Sequence, residues 1–274
     1  MINKILVPTD FSEVANNALK YAIGLSIQTN ASIEILNVKN IPVMDATFPA
    51  EVYSTLIAEI DEIAVNGLAK LVSTFLQPAG VSYKTNHVTG FVNDEIENFT
   101  KLNSIDLIVM GTTGASGLKE LLIGSNAATI IGKSEVPVLV IPPSADYKEI
   151  KHILYASDYT EPEFPALSRL LFFAELNDAQ ISVLHVKTDF DRFFNVEGSI
   201  FNKNKAQFKK EKIAFVTSDK IDISEAIEDF IETHNTNLLV LAKHNRSFFD
   251  RLFHRSLSKK MAYHTKIPLL VLHK

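Results

Sequence analysis

The feature that most constrains this chain is an internal repeat that spans most of its 274 residues. KILVPTDFSE, at Lys4–Glu13, recurs as HILYASDYTE at His152–Glu161. Further along, LIVMGTTG at Leu107–Gly114 is matched without a gap by LLVLAKHN at Leu238–Asn245, and VPVLVI is matched in the same register by IPLLVL. A repeat of this length says more about the fold than any single motif does, because it determines the architecture of the whole chain. The sequence therefore predicts two copies of one fold in tandem.

Each copy alternates apolar strands with helical segments. In the first copy, runs such as Ile5–Val7 and Ser32–Val38 predict strands. Between them, Glu51–Leu76 predicts a long amphipathic helix, ended by Pro78 and Gly80, whose apolar face carries Leu56, Ile60, Ile63, Leu68, Leu71 and Phe75. Strands that alternate with helices indicate an α/β fold, in which a parallel sheet is doubly wound and ligands bind at the carboxyl ends of its strands.

The boundary between the copies is expected in Pro142–Glu149, a segment rich in residues typical of linkers. We place the two domains at 1–143 and 150–274. The composition, with 46% hydrophobic and 22% charged residues, is that of a soluble globular protein.

Charge and targeting signals narrow the class of protein. The net charge of −5 argues against general binding to nucleic acid or to anionic membranes. The absence of cysteine excludes a disulfide framework, a thiolate nucleophile and a cysteine-type zinc site. The chain begins directly with a predicted strand, without the apolar region of a signal peptide. These observations predict a cytoplasmic protein without a membrane span.

A glycine-rich loop follows the apolar run Leu107–Met110. Its glycines are Gly111, Gly114, Gly117 and Gly124, and Ser125 stands where a helix N-cap is expected. Glycines let the backbone N–H groups approach a ligand, and the next helix offers unpaired N–H groups to an anion. The loop is neither a Walker P-loop nor GxGxxG. It predicts a phosphate site, and a surface loop with glycines at its turns is the alternative.

The spacing G-x2-G-x9-G-Ser, together with the repeat and the order of elements, resembles the universal stress protein family over nearly the whole chain. The resemblance implies an open five-stranded parallel sheet in each half, of the adenine nucleotide alpha hydrolase-like type. It also implies bound ATP, or AMP or ADP, sometimes with Mg²⁺. The nucleotide site that it implies consists of Pro8, Thr9, Asp10, Val38, Met110, Gly111, Thr112, Gly114, Gly124, Ser125 and Asn126. In this family single domains pair through their last strands, so the two halves are expected to form an intramolecular pseudo-dimer, and a homodimer is a further expectation.

Several of these residues also have a structural interpretation. Asp10 and Glu13 have the spacing of a capping pair, so Asp10 could cap the first helix beside or instead of a nucleotide role. Val38 could be a core residue at the end of its strand. Ser125 is expected to be an N-cap in either case, and capping is compatible with a phosphate contact.

The second half lacks the glycines of the loop. Ala242, Asn245 and Arg255 stand where Gly111, Gly114 and Gly124 stand in the first half. The long side chain of Arg255 would occupy the place where backbone should meet phosphate, so the second half is predicted not to bind ATP in the same way. The alternative is an anion site formed by the side chains of Lys243, Arg246, Arg251, Arg255 and Lys259.

No catalytic set is evident. The histidines show no HExxH or other metal-ligand spacing, Gly-x-Ser-x-Gly is absent, and the loop has no P-loop lysine. The leading hypothesis is a nucleotide-binding regulatory protein of the stress response. The alternatives are a slow ATP hydrolase or phosphotransferase that uses the same site, and an interaction scaffold that has lost nucleotide from both halves.

Overall fold

The computed structural model describes residues 2–40, 49–112, 124–157, 164–187, 213–220, 222–242 and 266–272. The chain divides into two compact units, and the division falls within a strand, between Val138 and Leu139. No helix in these ranges is both long and apolar enough to cross a membrane.

The first half alternates strands and helices as its sequence predicts. Its elements are β1 (Lys4–Pro8), α1 (Glu13–Thr29), β2 (Ser32–Lys39), α2 (Ala50–Leu71), a π-helical turn (Val72–Leu76), α3 (Gln77–Ala79), β3 (Tyr83–Thr89), α4 (Val92–Leu102), β4 (Leu107–Gly111), α5 (Ser125–Lys133) and β5 (Val138–Ile141). The strand order is β3-β2-β1-β4-β5. β1 pairs in parallel with both β2 and β4, and β2 pairs in parallel with β3.

The second half repeats this arrangement. Its described elements are β6 (His152–Ser157), α6 (Phe164–Asn177), β7 (Gln180–Val186), β8 (Ile213–Ser218), α7 (Ile223–Thr233), β9 (Leu238–Ala242) and β10 (Leu269–Leu272). The strand order β8-β7-β6-β9-β10 is that of the first half, and its described pairings are parallel. The predicted α/β class and the tandem repetition are confirmed.

The repeat extends to individual hydrogen bonds. In the first half, Asp106 Oδ2 accepts from the backbone N–H groups of Asn3 and Lys4, at 2.7 and 3.0 Å. At the equivalent place, Asn237 Oδ1 accepts from Lys151 N–H and His152 N–H, both at 3.1 Å. Each residue stands just before the fourth strand of its half and ties down the start of the first strand. Either an aspartate or an asparagine therefore meets the requirement of this position.

Helix α2 departs from its prediction. Among the residues expected on its apolar face, Leu68 and Leu71 are buried, whereas Ile63 is 64% exposed. The prediction for Ile63 is wrong, because only the last turns of α2 are packed: Ala64 is the first fully buried residue of this helix. Of the two residues predicted to end the helix, Gly80 does so, with the left-handed φ of 67° at the C-cap of α3, whereas Pro78 lies within α3 and does not stop the chain from being helical.

Candidate functional site

The strand order creates a crevice between β1 and β4. From β1 the chain proceeds outward to β2 and β3, and it then returns to β4 on the other side of β1 and continues to β5. The direction of winding therefore reverses between β1 and β4. In open α/β sheets ligands bind outside the carboxyl ends of the strands at such a reversal. The segments that follow Pro8 and Gly111 flank this point in the first half.

The segment after β1 is held by backbone and side-chain hydrogen bonds. Thr9 is buried, and its N–H donates to Leu36 O at 2.9 Å. The side chain of Asn37, also buried, donates from Nδ2 to Thr9 O at 2.9 Å. Asp10 is exposed, and its Oδ1 accepts from Ser12 N–H at 3.1 Å. Thr9 is thus fixed in the sheet, while the carboxylate of Asp10 lies at the edge of the crevice.

Ser12, not Asp10, caps helix α1. Ser12 has extended backbone angles, and its Oγ accepts from Ala15 N–H at 3.2 Å. The capping pair considered for Asp10 and Glu13 is therefore wrong. Because Ser12 supplies the N-cap acceptor, capping gives no reason for the carboxylate at position 10.

The segment after β4 contains a buried hydroxyl without a partner. Met110 and Thr112 are buried at this end of the strand. Thr112 Oγ1 has no hydrogen-bond partner among the described residues. A buried hydroxyl normally forms a hydrogen bond, so an unpaired one at a strand end is a reason to expect a ligand.

Gly111 has a structural reason of its own. A Cβ at this position would lie 2.7 Å from Val14 Cγ1 and 3.3 Å from the backbone C and O of Val14. Helix α1 therefore approaches β4 so closely that the strand has no room for a side chain there. The glycine serves helix packing whether or not it also contacts a nucleotide.

The start of α5 differs from the prediction. Gly124 is the N-cap, and Ser125 is the first helical residue, so the prediction that Ser125 is the N-cap is wrong. Gly124 N–H donates to Thr112 O at 2.5 Å, which holds Gly124 in the cap position beside the end of β4. No side chain of the described residues caps this helix. The N–H groups of its first turn, at Ser125 and Asn126, have no acceptor within the helix and lie at the positive end of its dipole, which favours an anion.

Two further site residues, Pro8 and Val38, lie at the ends of the neighbouring strands β1 and β2. Pro8 pairs with Leu36, and the β1–β4 register of Leu6 with Ile108, continued by two residues, places Pro8 level with Met110. Val38 is half-buried and pairs with Val88 at the end of β2. It is not one of the fully buried core residues, so part of its surface remains available to a ligand. Gly114 lies outside the described residues, as does Gly117.

The corresponding edge of the second half is only partly described. Ser157 ends β6 and is buried, and the ring of His185 lies with Nδ1 3.1 Å from Ser157 O. This contact is equivalent to that of Asn37 with Thr9 in the first half. Ala242 ends β9. The prediction that the second half does not bind ATP also depends on other loop residues, and these lie outside the described residues. They are Lys243, Asn245, Arg246, Arg251, Arg255 and Lys259.

Two residues near the site were not predicted from the sequence. Asn37 fixes Thr9, and the signal for it was a lone amide in the apolar strand Ser32–Lys39. Phe11 has a positive φ of 64°, for which the sequence gives no signal. Within the described ranges, no group of three or more His, Cys, Asp or Glu side chains is placed to hold a metal ion.

Comparison with known proteins gives the same assignment for both halves. The profile of the universal stress protein family matches residues 1–142 and again residues 149–273. A universal stress protein of Methanocaldococcus jannaschii is 34% identical over 141 residues, which cover 52% of this chain and 82% of that protein. A universal stress protein of Synechocystis is 26% identical over 293 residues, covering 98% of this chain and 99% of the relative.

The fold is also found among solved structures. A universal stress protein from Archaeoglobus fulgidus superposes with a TM-score of 0.74 at 19% identity, over 100% of this chain and 99% of that one. The likeness therefore extends over both halves of the repeat. With the family profile matched twice, this chain belongs to the universal stress protein family.

Proposed function

We propose that the first half binds an adenine nucleotide in the crevice between β1 and β4, and that the chain is a nucleotide-dependent regulatory module of the stress response in the cytoplasm. The observation that carries the proposal is the unpaired Oγ1 of buried Thr112, next to a helix start that no side chain caps. Both features leave hydrogen-bonding groups that a phosphate would satisfy. Family membership supports the adenine nucleotide as the ligand.

The proposed contacts divide into a phosphate end and a nucleoside end. The backbone N–H groups of Ser125 and Asn126, the Ser125 hydroxyl and Thr112 Oγ1 would bind phosphate oxygens, and Gly124 would leave their approach free of a side chain. Gly111 and Gly114 would keep this approach free of side chains. At the other end, Thr9 and Asp10 would contact the ribose, and Val38, Met110 and Pro8 would pack on the adenine.

A magnesium ion fits this arrangement only as a companion of the phosphates. Mg²⁺ in nucleotide sites is bound by one or two carboxylates together with phosphate oxygens and water. Asp10 is a carboxylate at this edge of the crevice, and the described residues contain no group of three or more His, Cys, Asp or Glu side chains that could hold a metal ion. The ion would neutralise phosphate charge, and the protein would hold the nucleotide through its N–H groups.

Thr112→Val provides the sharpest test, because it should move stability and binding in opposite directions. Leaving a buried hydroxyl unpaired costs about 1–3 kcal/mol, so valine should leave the free protein as stable or more stable. If Oγ1 binds a phosphate, the same change should weaken ATP by about tenfold, or 1.4 kcal/mol, from an ordinary micromolar affinity. Calorimetric titration with ATP and AMP, with thermal unfolding in parallel, measures both effects.

Gly124→Val tests the phosphate approach independently. Gly124 has φ −61° and ψ 159°, which any residue can adopt, so valine adds bulk without backbone strain. We expect the sheet to remain folded and ATP binding to be lost. The control is Gly132→Ala, where an added Cβ would meet no atom within 4 Å. Equal ATP affinities in wild type, Thr112→Val and Gly124→Val would refute the proposed site.

Pairing of the two halves through β5 and β10, and a homodimer, remain proposals that rest on family resemblance. Sedimentation of the whole chain would decide the homodimer. Intramolecular cross-linking between cysteines introduced into the two strands would decide the pairing. Halves that never cross-link would rule out the pseudo-dimer.

A further inference from the structure

Phe11 has a backbone conformation that phenylalanine rarely adopts. Its φ of 64° lies in the left-handed region, which is disfavoured for bulky side chains. The residue stands between Asp10, at the proposed ribose contact, and Ser12, the N-cap of α1. This left-handed turn therefore sets how the chain leaves the end of β1 and enters the helix.

The turn is held by the ring of Phe11 and by its N–H group. Phe11 N–H donates to Thr9 Oγ1 at 3.0 Å. The distal end of the ring lies against Gly67 of α2: a Cβ at Gly67 would be 2.7 Å from Cε1 and Cζ and 2.8 Å from Cε2. No other residue type fits this place without moving the ring. Glycine is a poor helix former, so its position in the interior of α2 is explained by the notch that it leaves for Phe11.

The notch is on the packed part of α2. Ala64, Leu68 and Leu71 are buried, and Gly67 lies on the same helical face between them. The exposed first turns of the helix do not contribute to it. Gly67 is therefore fixed with respect to the sheet, and the ring of Phe11, which packs on it, is held in place as well.

We propose that Phe11, seated in the notch at Gly67, is a positioning residue for the nucleoside end of the site. Thr9 is fixed by its hydrogen bonds to β2, and the ring holds the left-handed turn that places Asp10 where a ribose would meet it. The proposal rests on the nucleotide-binding function proposed above. It assigns to α2, which contributes no residue to the proposed nucleotide contacts, a part in fixing the ligand.

The first experiment separates the backbone conformation from the bulk of the ring. Phe11→Ala removes the ring and keeps the penalty for a positive φ, whereas Phe11→Gly removes both. We expect Phe11→Ala to weaken adenosine and ATP by about tenfold and Phe11→Gly by less than about threefold. A purely structural role of the ring would lower thermal stability in both variants without this difference in affinity. Equal affinities of folded Phe11→Ala and Phe11→Gly for adenosine would overturn the proposal.

The second experiment displaces the ring without removing it. Gly67→Ala places a methyl group within the space of the ring, and we expect adenosine affinity to fall by about tenfold. The matched control is Gly132→Ala, a helical glycine with open space beside it.

The double variant Phe11→Gly with Gly67→Ala should recover adenosine affinity relative to Gly67→Ala alone, because no ring remains to be displaced. The double variant therefore tests the positioning role of Phe11 even if Phe11→Ala does not fold. Wild-type adenosine affinity in folded Gly67→Ala would overturn the positioning role while the proposed nucleotide function stands. A wild-type chain that binds neither ATP nor adenosine would overturn both.

Discussion

Replacing Gly111 with alanine should destabilise the first half through helix packing. The new Cβ would lie 2.7 Å from Val14 Cγ1, about 1 Å closer than the usual 3.5–4.0 Å between carbon atoms. Valine has one strongly preferred rotamer in a helix, so Cγ1 has little freedom to turn away. The backbone of Val14, at 3.3 Å, limits the alternatives further. Overpacking of this kind costs about 1–3 kcal/mol, and we expect a loss of about 2 kcal/mol.

A double-variant cycle shows whether Val14 is the cause. The second half carries Ala242 at the position equivalent to Gly111, so a methyl group is compatible with this strand end. Val14→Ala in the Gly111→Ala background removes Cγ1 and should restore most of the loss. The coupling energy should therefore be about 1–2 kcal/mol and favourable, within the range for residues in direct contact.

Native-state hydrogen exchange of the β4 amides, Leu107–Met110, is the suitable assay, because it reports the opening free energy of the first half alone. Gly111→Ala should lower protection there, and the double variant should recover it. Unchanged β4 protection in Gly111→Ala, or strictly additive effects of the two substitutions, would refute the steric argument.

Two further predictions concern the scaffold and its charges. Asp106→Ala should destabilise the first half by about 1–3 kcal/mol, since two backbone N–H groups lose a charged acceptor. Asp106→Asn should cost under about 1 kcal/mol, because Asn237 fills the same role in the second half. Urea unfolding measures both variants, and equal losses of stability would contradict this prediction. The hydrogen bond from Lys101 at 2.8 Å and the positive charge of Lys101 lower the pKa of Glu97. The ion pair therefore contributes stability above the ordinary pKa of the carboxyl group, and this stability is lost as pH falls through the lowered pKa. Carbon-13 NMR titration should show a higher pKa for Glu97 in Lys101→Met, and an unchanged pKa would count against the ion pair.

The sequence predicted those parts of the fold that depend on repetition and strand pattern. The equivalence of Lys4–Glu13 with His152–Glu161 was enough to predict tandem α/β domains, because the same apolar runs must be buried in the same way. The same pattern predicted a ligand site at the strand ends, where Thr9, Asp10, Met110 and Thr112 lie. Parallel strands bring their carboxyl ends to one edge whatever their order.

The errors came from tertiary contacts that the sequence does not show. Ser125 is an ordinary N-cap residue, but the hydrogen bond of Gly124 with Thr112 O moves the cap back by one position. Ile63 follows the helical period of α2, yet Ala64 is the first buried residue of this helix. The apolar period alone therefore does not show where packing begins.

The central place of β1 has a consequence for how the chain is synthesised. Ile5 pairs with Leu107, so one edge of the first strand lacks its partner until the ribosome has made about a hundred more residues, which takes roughly 5–20 seconds at usual rates. During that time the backbone N–H and C=O groups on this edge of β1 have no strand to pair with. β9 repeats the apolar pattern of β4 and could pair with β1 in its place, which is the kind of error by which repeat proteins misassemble. β4 emerges before β9, and the order of translation thus selects the correct strand.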